Sequence, residues 1–380
     1  MKKFILISGF NTNDNNRGTA ALSYGSINFC IQKGYLKEGQ ELVNFRYVKK
    51  FWKKEYEDFT ETYEAEGKTW KRNVLHIFFL EKWLYDFFHL LLPFTKFGRA
   101  IRKTELVASI NGGDGFADIY GTRTFLGRLS DTDIAMREDI PLVILPQTIG
   151  PFKDAENLCI AERILKYAKE VFVRDDKFVK ELKRMGVKYM LTKDLSYFMA
   201  PEPWDIEIKS KSIGLNVSGL AYSNIFKGLE GQFDAYPTLI DHIISHFRNK
   251  GCTIYLIPHS YGYTTPIADD DMIACRKAYE RLADKSNVVL VDKDLISPQV
   301  KYVISRMTFF IGARMHANFA AIYTGVPVFG TAYSYKFEGA FNANGLDGEK
   351  QTRMINHLKT DEINDYIQQL DAYYKESVNK

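Results

Sequence analysis

Arg314 and His316 stand just after an apolar run, at the start of a helix of small residues, and both side chains are suited to binding an anion. The run Phe309–Ile311 predicts a buried strand, and the stretch Ala317–Thr324 predicts the helix that follows it. Gly312 lets a ligand approach the backbone between them, and the N–H groups at a helix N-terminus favour negative charge. The segment therefore predicts an anion site.

Two further basic side chains follow apolar runs in the same way. Arg174 ends the run Val171–Val173, and His259 comes after the run Tyr255–Ile257. Ligands of open parallel sheets bind at the carboxyl ends of the strands, so we expect these groups to reach the same cleft. Each could alone be a structural ion pair or a satisfied polar residue, but together they favour a small, doubly anionic substrate.

Glycine-rich turns mark the first half of the chain. Asn111–Gly115 follows the run Val107–Ile110, and Asn15–Thr19 leads from the first strand into a helix over Ala20–Phe29. Neither turn has the spacing of a dinucleotide-binding fingerprint or of a phosphate-binding P-loop. Two interpretations stay open: the turns shape an acceptor pocket, or they are tight strand-to-helix connections.

Two acidic runs resemble carboxylate metal ligands. They are Asp131–Asp133 and Asp269–Asp271. Both precede helical periodicity, where acids cap free N–H groups and favour the positive end of the helix dipole. Capping is the favoured interpretation, and no metal is expected.

Apolar runs alternate with helical stretches along the chain, which is typical of a mostly parallel α/β sheet. A chain of 380 residues is also about twice the usual size of one compact domain. Pro201 and Pro203 interrupt the pattern before a second series begins. The predicted strands are Phe4–Ser8, Glu105–Ile110, Leu142–Leu145, Val171–Val173, Met190–Thr192, Ile213–Val217, Thr253–Ile257, Val288–Val291, Phe309–Ile311 and Val326–Phe329.

The fold predicted from this pattern is α/β, with two Rossmann-like, doubly wound domains facing a cleft. The N-terminal domain spans residues 1–200 and the C-terminal domain spans residues 205–360. Residues 361–380 are expected to form a helix that can cross back to the first domain.

Residues 44–103 do not follow the alternating pattern, since they combine 13 Lys/Arg with 8 Asp/Glu and many aromatic residues. Val74–Leu92 is apolar around most of a helix, except at Lys82, Asp86 and His89. We expect a helical insertion whose charges argue against a membrane span. It packs against its own domain or a second subunit, or it rests on a membrane surface or a lipid-linked acceptor; both interpretations stay open.

The composition excludes several classes of protein. The 51 Lys/Arg and 47 Asp/Glu leave a formal charge of +4, which is too small to make nucleic acid the expected partner. The 46% of apolar residues argue against disorder. The four separated cysteines indicate neither a zinc site nor a disulfide framework, and they fit a reducing cytoplasm. The first apolar run ends at Phe10, too early for a signal peptide.

Four motifs, in order over nearly the whole chain, resemble the polysaccharide pyruvyl transferase family. They are NGGDGFAD at Asn111–Asp118, LPQTIGPF at Leu145–Phe152, VRDD at Val173–Asp176, and GARMHANFAAIYTGVPVFGTAYSYKF from Gly312. The resemblance implies a GT-B-like fold and the transfer of pyruvate from phosphoenolpyruvate to a sugar as a ketal, with release of phosphate. It places the acceptor in a cell-surface polysaccharide, such as an exopolysaccharide or capsule, or in its lipid-linked precursor. The expected location is the cytoplasm or the inner face of the membrane.

Carried over residue by residue, the resemblance implies that Arg174 and Arg314 hold the carboxylate and phosphate of phosphoenolpyruvate, with His316 as general acid. The predicted donor-binding residues are Arg174, Arg314, His316, His259, Gly312 and Lys336. The predicted acceptor-binding residues are Asn16, Arg17, Gly112, Gly113, Asp114, Asp118 and Gln147. Phosphoenolpyruvate is the donor substrate, and neither a cofactor nor a metal is implied.

Two alternatives stay open at this point. A GT-B glycosyltransferase would use His316 and Arg314 to hold the pyrophosphate of a nucleotide sugar, because one scaffold can host both reactions. A non-catalytic saccharide-binding protein would use none of these residues for chemistry.

Overall fold

The computed structural model describes residues 3–50, 56–262 and 268–378 of the chain. The chain divides into two compact units, one formed by Met1–Asn11 with Leu22–Phe198 and the other by Thr12–Ala21 with Met199–Lys380. Each unit carries a sheet of mainly parallel strands with helices between them. The predicted class, α/β with two Rossmann-like, doubly wound units, is confirmed.

The first unit contains an eight-stranded sheet in the order β3-β4-β2-β1-β5-β6-β7-β8. Its strands are β1 Lys3–Ile7, β2 Gln40–Val48, β3 Phe59–Ala65, β4 Lys68–Phe78, β5 Thr104–Ser109, β6 Leu142–Gln147, β7 Glu170–Val173 and β8 Met190–Leu191. All neighbouring pairs are parallel except β3 with β4. Every residue of β6 is buried, as expected for a central strand covered on both faces.

The helices in this part of the chain connect the strands. They are α1 Arg17–Gln32, α2 Phe79–Phe88, α3 Lys96–Ile101, α4 Thr122–Arg128, α5 Ser130–Arg137, α6 Ala155–Tyr167, α7 Val179–Arg184 and α8 Leu195–Phe198. The first turn of α1 falls in the segment that belongs to the second unit. α6 begins where the Asp154 carboxylate accepts hydrogen bonds from the backbone N–H groups of Glu156 and Asn157, a typical N-cap.

The prediction of a helical insertion over residues 44–103 is wrong for most of its length. β3 and β4 form an antiparallel hairpin at the edge of the sheet, and the α-helices among the described residues of this segment are α2 and α3. The first half of β4 alternates exposed with buried residues, and this period of two favours a strand. The apolar run over Val74–Leu92 is shared between the end of β4 and α2. Residues 51–55 of the predicted insertion lie outside the described residues.

The second unit contains a six-stranded, wholly parallel sheet in the order β11-β10-β9-β12-β13-β14. Its strands are β9 Ser212–Asn216, β10 Thr253–Leu256, β11 Val288–Leu290, β12 Phe309–Gly312, β13 Val328–Ala332 and β14 Thr352–Met354. Its helices are α9 Gly219–Ser223, α10 Tyr236–Asn249, α11 Asp271–Arg281, α12 Ser297–Ser305, α13 Met315–Tyr323, α14 Lys336–Ala343, α15 Gly348–Gln351 and α16 Ile363–Val378.

The terminal helix α16 packs inside the second unit. The Asp371 carboxylate bonds His246 at 3.0 Å and Lys250 at 2.7 Å, and the Tyr374 ring packs edge-on against Phe247 at 5.0 Å. The predicted terminal helix is present, and its buried residues include Ile363, Tyr366 and Leu370. That it can cross back to the first domain stays a prediction. Over the residues described, no helix has both the length and the apolar character that crossing a membrane requires.

Candidate functional site

Arg314 occupies the turn between β12 and α13. It is the N-cap of α13 with extended backbone angles, and its N–H donates to the side-chain oxygen of Asn216 at 2.9 Å. Gly312 just before it has no room for a side chain, since a Cβ there would lie 2.0 Å from Oδ1 of Asn318. This close approach of strand and helix fixes Arg314 at the carboxyl edge of the sheet, with only 7% of its surface exposed.

Asp271 holds the Arg314 guanidinium in that position. Its buried carboxylate accepts from Nε and Nη2 of Arg314, at 3.1 and 2.6 Å, and Asp269 pairs with Nη2 as well. Burial works against the charge of the guanidinium, but these two carboxylates outweigh it and hold the pKa of Arg314 above its ordinary value. Asp271 also accepts from the Asn216 side chain and from the backbone N–H groups of Gly219, His259 and Ser260.

The early segment Thr12–Ala21 completes this region of the second unit. The Arg17 N–H donates to the carbonyl of His259 at 3.0 Å, and the Arg17 side chain donates through Nε to the Leu295 carbonyl at 2.7 Å. Its guanidinium lies 4.5 Å from the ring centre of Tyr261 and pairs with Asp294. Arg17 is therefore a buried cation beside His259.

His316 lies in the first turn of α13, next to the backbone of Gly18. A Cβ on Gly18 would lie 2.5 Å from Nδ1 of His316, so the early segment passes directly against the imidazole. Burial first, then the nearby charges of His316, Arg314 and Arg17, hold the pKa of His259 well below its ordinary value. Four basic side chains thus lie together in the second unit, and we call them the basic cluster: Arg17, His259 and Arg314, which are buried, and His316, which is partly buried.

The His259 ring contributes an open hydrogen-bonding atom to the basic cluster. Its Nδ1 is buried and has no hydrogen-bond partner among the described residues. Leaving a buried polar atom unpaired costs about 1–3 kcal/mol, so a ligand that pairs with it is favoured. Together with the N-terminus of α13, the cluster can bind a compact anion.

Arg174 lies at the end of β7 in the first unit. It donates through Nη1 to Asp194 at 2.6 Å and through Nε to the Thr148 hydroxyl at 3.0 Å. Burial opposes the charge of Arg174, but Asp194, with Asp175 and Asp114 nearby, holds its pKa above the ordinary value. The guanidinium lies against the predicted glycine turn, because a Cβ on Gly113 would lie 2.8 Å from Nη1.

Asn111, at the start of that glycine turn, is not among the predicted acceptor-binding residues. It is 3% exposed, and neither its side-chain nitrogen nor its side-chain oxygen has a partner among the residues described. Gln147 fixes its backbone by accepting from the Asn111 N–H at 3.0 Å and donating to the Ser109 carbonyl at 2.9 Å. An amide held in this way can bind a polar ligand group.

The other predicted acceptor residues of the first unit differ in their hydrogen bonds and backbone conformation. The Asp118 carboxylate accepts from the N–H groups of Lys153 and Asp154 and from the Asn157 side chain, so it fastens a loop. The Asp114 carboxylate accepts from the Tyr120 hydroxyl at 3.1 Å. Gly112 and Gly113 have positive φ angles of 68° and 88°, which explains why the turn needs glycine.

The predicted site residues therefore fall into two sets, one in each unit. The first unit holds Arg174, Gly112, Gly113, Asp114, Asp118 and Gln147, and the second holds Arg314, His316, His259, Gly312, Lys336, Asn16 and Arg17. Asn16 and Arg17 are predicted on the acceptor side, but they belong to the unit that carries the predicted donor residues. Lys336 begins α14 after β13. The donor and acceptor roles stay predictions.

The acidic run at 269–271 combines two functions. Asp270 caps α11 by accepting from the Ile273 N–H at 3.1 Å, as predicted. Asp271 instead binds Arg314, a role that the sequence analysis did not predict. Across the described stretches of the chain, no group of three or more His, Cys, Asp or Glu is placed to hold a metal ion.

Two solved structures share this architecture. The UDP-GlcNAc 2-epimerase from Methanocaldococcus jannaschii superposes with a TM-score of 0.51 at 9% identity, covering 100% of this chain and 93% of that one. A protein from Listeria monocytogenes, named as a UDP-N-acetylglucosamine 2-epimerase, superposes with a TM-score of 0.53 at 10% identity. The superposition covers 100% of this chain and 91% of that one. These likenesses show the fold alone, which is GT-B-like, as predicted.

The family follows from the sequence itself. The model of the polysaccharide pyruvyl transferase family matches residues 16–335, so the chain belongs to that family of transferases. None of the curated proteins matches the chain significantly. The match covers both the segment with Arg17 and the α13 turn with Arg314 and His316.

Proposed function

We propose that the protein transfers the pyruvyl group of phosphoenolpyruvate to a sugar, as a ketal, and releases phosphate. The observation that supports this donor is the basic cluster, which gathers Arg17, His259, Arg314 and His316 at the N-terminus of α13. Phosphoenolpyruvate carries a carboxylate and a phosphate on three carbons, so it needs several cationic donors within a small volume. The open Nδ1 of His259 offers such a ligand one more hydrogen bond.

His316 acts as the general acid in this proposal. An imidazolium can give up a proton near neutral pH, and a bound phosphate favours its protonated form. The proton adds to C3 of the enol, and the positive charge that develops at C2 is shared with the attached oxygen. A sugar hydroxyl attacks C2 and loses its proton, and the C2–O bond to phosphate then breaks with its electron pair. A second hydroxyl of the sugar closes the ring and loses its proton; one of the two hydroxyl protons restores His316 and the other leaves with phosphate.

Arg314 has a more limited part in donor binding than a free arginine would have. Three of its five N–H bonds point to Asp269 and Asp271, and the Tyr333 hydroxyl lies beside the guanidinium as well, so few of its donors are open to a ligand. We therefore assign Arg314 to fixing the geometry and charge of the cluster. The family resemblance implies that Arg174 also binds an anionic group of the donor, and this role stays a prediction.

The acceptor is a sugar of a cell-surface polysaccharide or of its lipid-linked precursor. The glycine turn of the first unit supports a polar pocket, since the unpaired amide of Asn111 lies beside Gly112 and Gly113. Sugar hydroxyls both donate and accept, so they can pair with both ends of a buried amide.

A donor screen tests the proposal. The protein is incubated with phosphoenolpyruvate and a panel of glycosides, and the products are followed by mass spectrometry and phosphate release. We expect a pyruvate ketal, and we expect His316→Gln to lower turnover by about 10²-fold or more, as for loss of a general acid. His242→Gln is the matched control, because His242 is exposed on α10 of the same unit.

Other outcomes point to the alternatives. Binding of a nucleotide sugar without any binding of phosphoenolpyruvate would identify a glycosyltransferase of the same fold. Saccharide binding that His316→Gln leaves intact, with no turnover of any donor, would identify a binding protein.

A further inference from the structure

Helix α2 and the turn after it expose an unusual amount of apolar surface in the first unit. Seven large apolar side chains between residues 79 and 94 are each more than a third exposed: Phe79, Leu80, Trp83, Phe87, Phe88, Leu90 and Phe94. We call this set the α2 apolar face. Soluble proteins rarely expose contiguous apolar patches of this kind unless the patch binds something.

A pocket of about 490 Å³ opens beside the α2 apolar face. Phe79 belongs to both, and Leu126 lies at the pocket rim, while Met136, Ile160 and Ile164 supply apolar walls. Ligand pockets are typically of this size, mostly apolar and equipped with few polar groups. The pocket is therefore large enough for part of a hydrocarbon chain that enters from the exposed face.

The segment that carries the face has an excess of positive charge. Residues 79–103 contain five Lys/Arg and two Asp/Glu, but Lys82 is paired with Asp86 and Lys96 with Asp58, so Arg99, Arg102 and Lys103 account for the excess. Arg163 adds an exposed cation at the pocket rim, and Arg137 donates to the Asp86 carbonyl at the end of α2. Aromatic side chains next to basic residues are the pattern of elements that lie in the interface of an anionic membrane.

We propose that the α2 apolar face binds the surface of an anionic phospholipid membrane, with a lipid hydrocarbon chain in the adjoining pocket. The exposed phenylalanines and Trp83 enter the boundary between headgroups and acyl chains, and the basic residues face the lipid phosphates. This binding does not depend on the proposed function, since it concerns the first unit alone and needs neither donor nor acceptor. Its failure would leave the donor screen unaffected.

Vesicle flotation of the full chain tests the face. We expect the protein to float with vesicles of phosphatidylglycerol and phosphatidylcholine, and to bind vesicles of phosphatidylcholine alone more weakly. The double variant Phe87→Ser and Phe88→Ser should bind at least about tenfold more weakly, because two exposed aromatic rings no longer enter the lipid. Tyr335→Ser is the control, since Tyr335 is 81% exposed in the second unit.

A second variant tests the pocket. Gly127 lines it, has an ordinary helical backbone and has open space where the first carbon of a side chain would lie, so Gly127→Trp can fill the mouth without strain in the fold. With phosphatidylglycerol vesicles that carry a fluorescent acyl chain, we expect chain uptake to fall at least about tenfold while the melting temperature is kept. Gly339→Trp on α14 is the control, because its surroundings are equally open.

Three results would overturn the proposal. The first is a wild-type protein that binds neither kind of vesicle, and the second is a double variant that floats as well as the wild type. The third is a dimer, seen by light scattering, that the double variant abolishes without any vesicle binding, since the face would then belong to a second copy of the chain. Unchanged chain uptake by Gly127→Trp would remove the pocket from the proposal.

Discussion

Arg174 and Arg314 each follow a parallel strand of their own unit, and each is paired with a buried aspartate. They differ in how fully they are held. Arg314 directs three of its five N–H bonds to carboxylates, whereas Arg174 directs one to Asp194 and one to the Thr148 hydroxyl. Arg174 in the first unit therefore has more N–H groups that a ligand could bind, while most N–H groups of Arg314 in the second unit bond the protein itself.

The aspartates show the same difference. Asp271 accepts from six donor groups drawn from Arg314, Asn216 and three backbone N–H groups. Asp194 accepts from Arg174 and from the N–H and hydroxyl of Ser196. The larger network indicates that the second unit depends on its aspartate for stability, and this dependence can be tested.

Replacing the two aspartates should give the largest effect. We expect Asp271→Asn to lower the free energy of unfolding by about 3–5 kcal/mol, because the buried Arg314 charge loses its main partner. Asp194→Asn should cost about 1–3 kcal/mol, since the Arg174 side chain is 18% exposed against 8% for Arg314, so water can partly replace the lost partner. Urea unfolding of both variants measures the difference, and equal losses would show that the two pairs are held alike.

A methyl group at Gly18 should have the next largest effect, on the second unit only. The new Cβ of Gly18→Ala would lie 2.5 Å from Nδ1 of His316, so the ring must move. We expect turnover to fall by about 10²-fold, which is typical of a misplaced catalytic group. Gly339→Ala, which has open space around it, is the control. If Gly18→Ala kept normal turnover, the position of His316 would not matter for the reaction, and its assignment as the general acid would be wrong.

The two arginine-to-lysine variants should differ in effect: one should change donor binding and the other should change stability. Lysine keeps the charge but loses the planar fork, so we expect Arg174→Lys to raise the donor KM by about tenfold with little change in melting temperature. Arg314→Lys should lower the melting temperature clearly, because lysine cannot reach Asp269 and Asp271 at once. Steady-state kinetics and thermal unfolding measure both; melting temperatures that fall alike would contradict the comparison.

The smallest effect concerns pH and His259. Its pKa is held well below the ordinary value of 6.5 by burial and nearby cations, so the folded protein resists binding a proton that the unfolded chain accepts. The free energy of unfolding should therefore fall as the pH drops from about 6.5 towards the folded-state pKa, by at most about 1.4 kcal/mol per pH unit. Thermal unfolding between about pH 5 and about pH 7 should show a weaker fall for His259→Gln. An unchanged slope would contradict a neutral, buried His259.

Most of the fold could be predicted from the sequence, because central parallel strands are covered on both faces and read as continuous apolar runs. All ten predicted strands are present. The sequence missed β2, β3, β4 and β14. β3 exposes alternate residues that include Glu64, and β14 has only three residues, so neither has the apolar run that marks a buried strand. The end of β4 has such a run, but it continues into α2 and was therefore interpreted as part of a helix.

The positions of the candidate site residues were predictable where a residue directly follows a predicted strand. Arg174, His259, Arg314 and His316 follow recognisable strands, so their positions at sheet edges could be inferred. Asp271 could not, since its partners Arg314 and Asn216 lie 43 and 55 residues away along the chain. Asn16 and Arg17 were placed with the first half because proximity in sequence does not reveal which sheet a segment packs against.

The path of residues 12–21 bears on any attempt to dissect or recombine this protein. A cut between Phe198 and Met199 would give a C-terminal fragment without Arg17, leaving the Ser297 hydroxyl and the Leu295 carbonyl without the bonds they make to it. A chimaera that exchanges only the C-terminal half between two relatives would likewise combine that half with the ten-residue segment Thr12–Ala21 of the other protein. The second unit is therefore discontinuous in sequence, and a chimaera that keeps it intact must exchange both of its segments together.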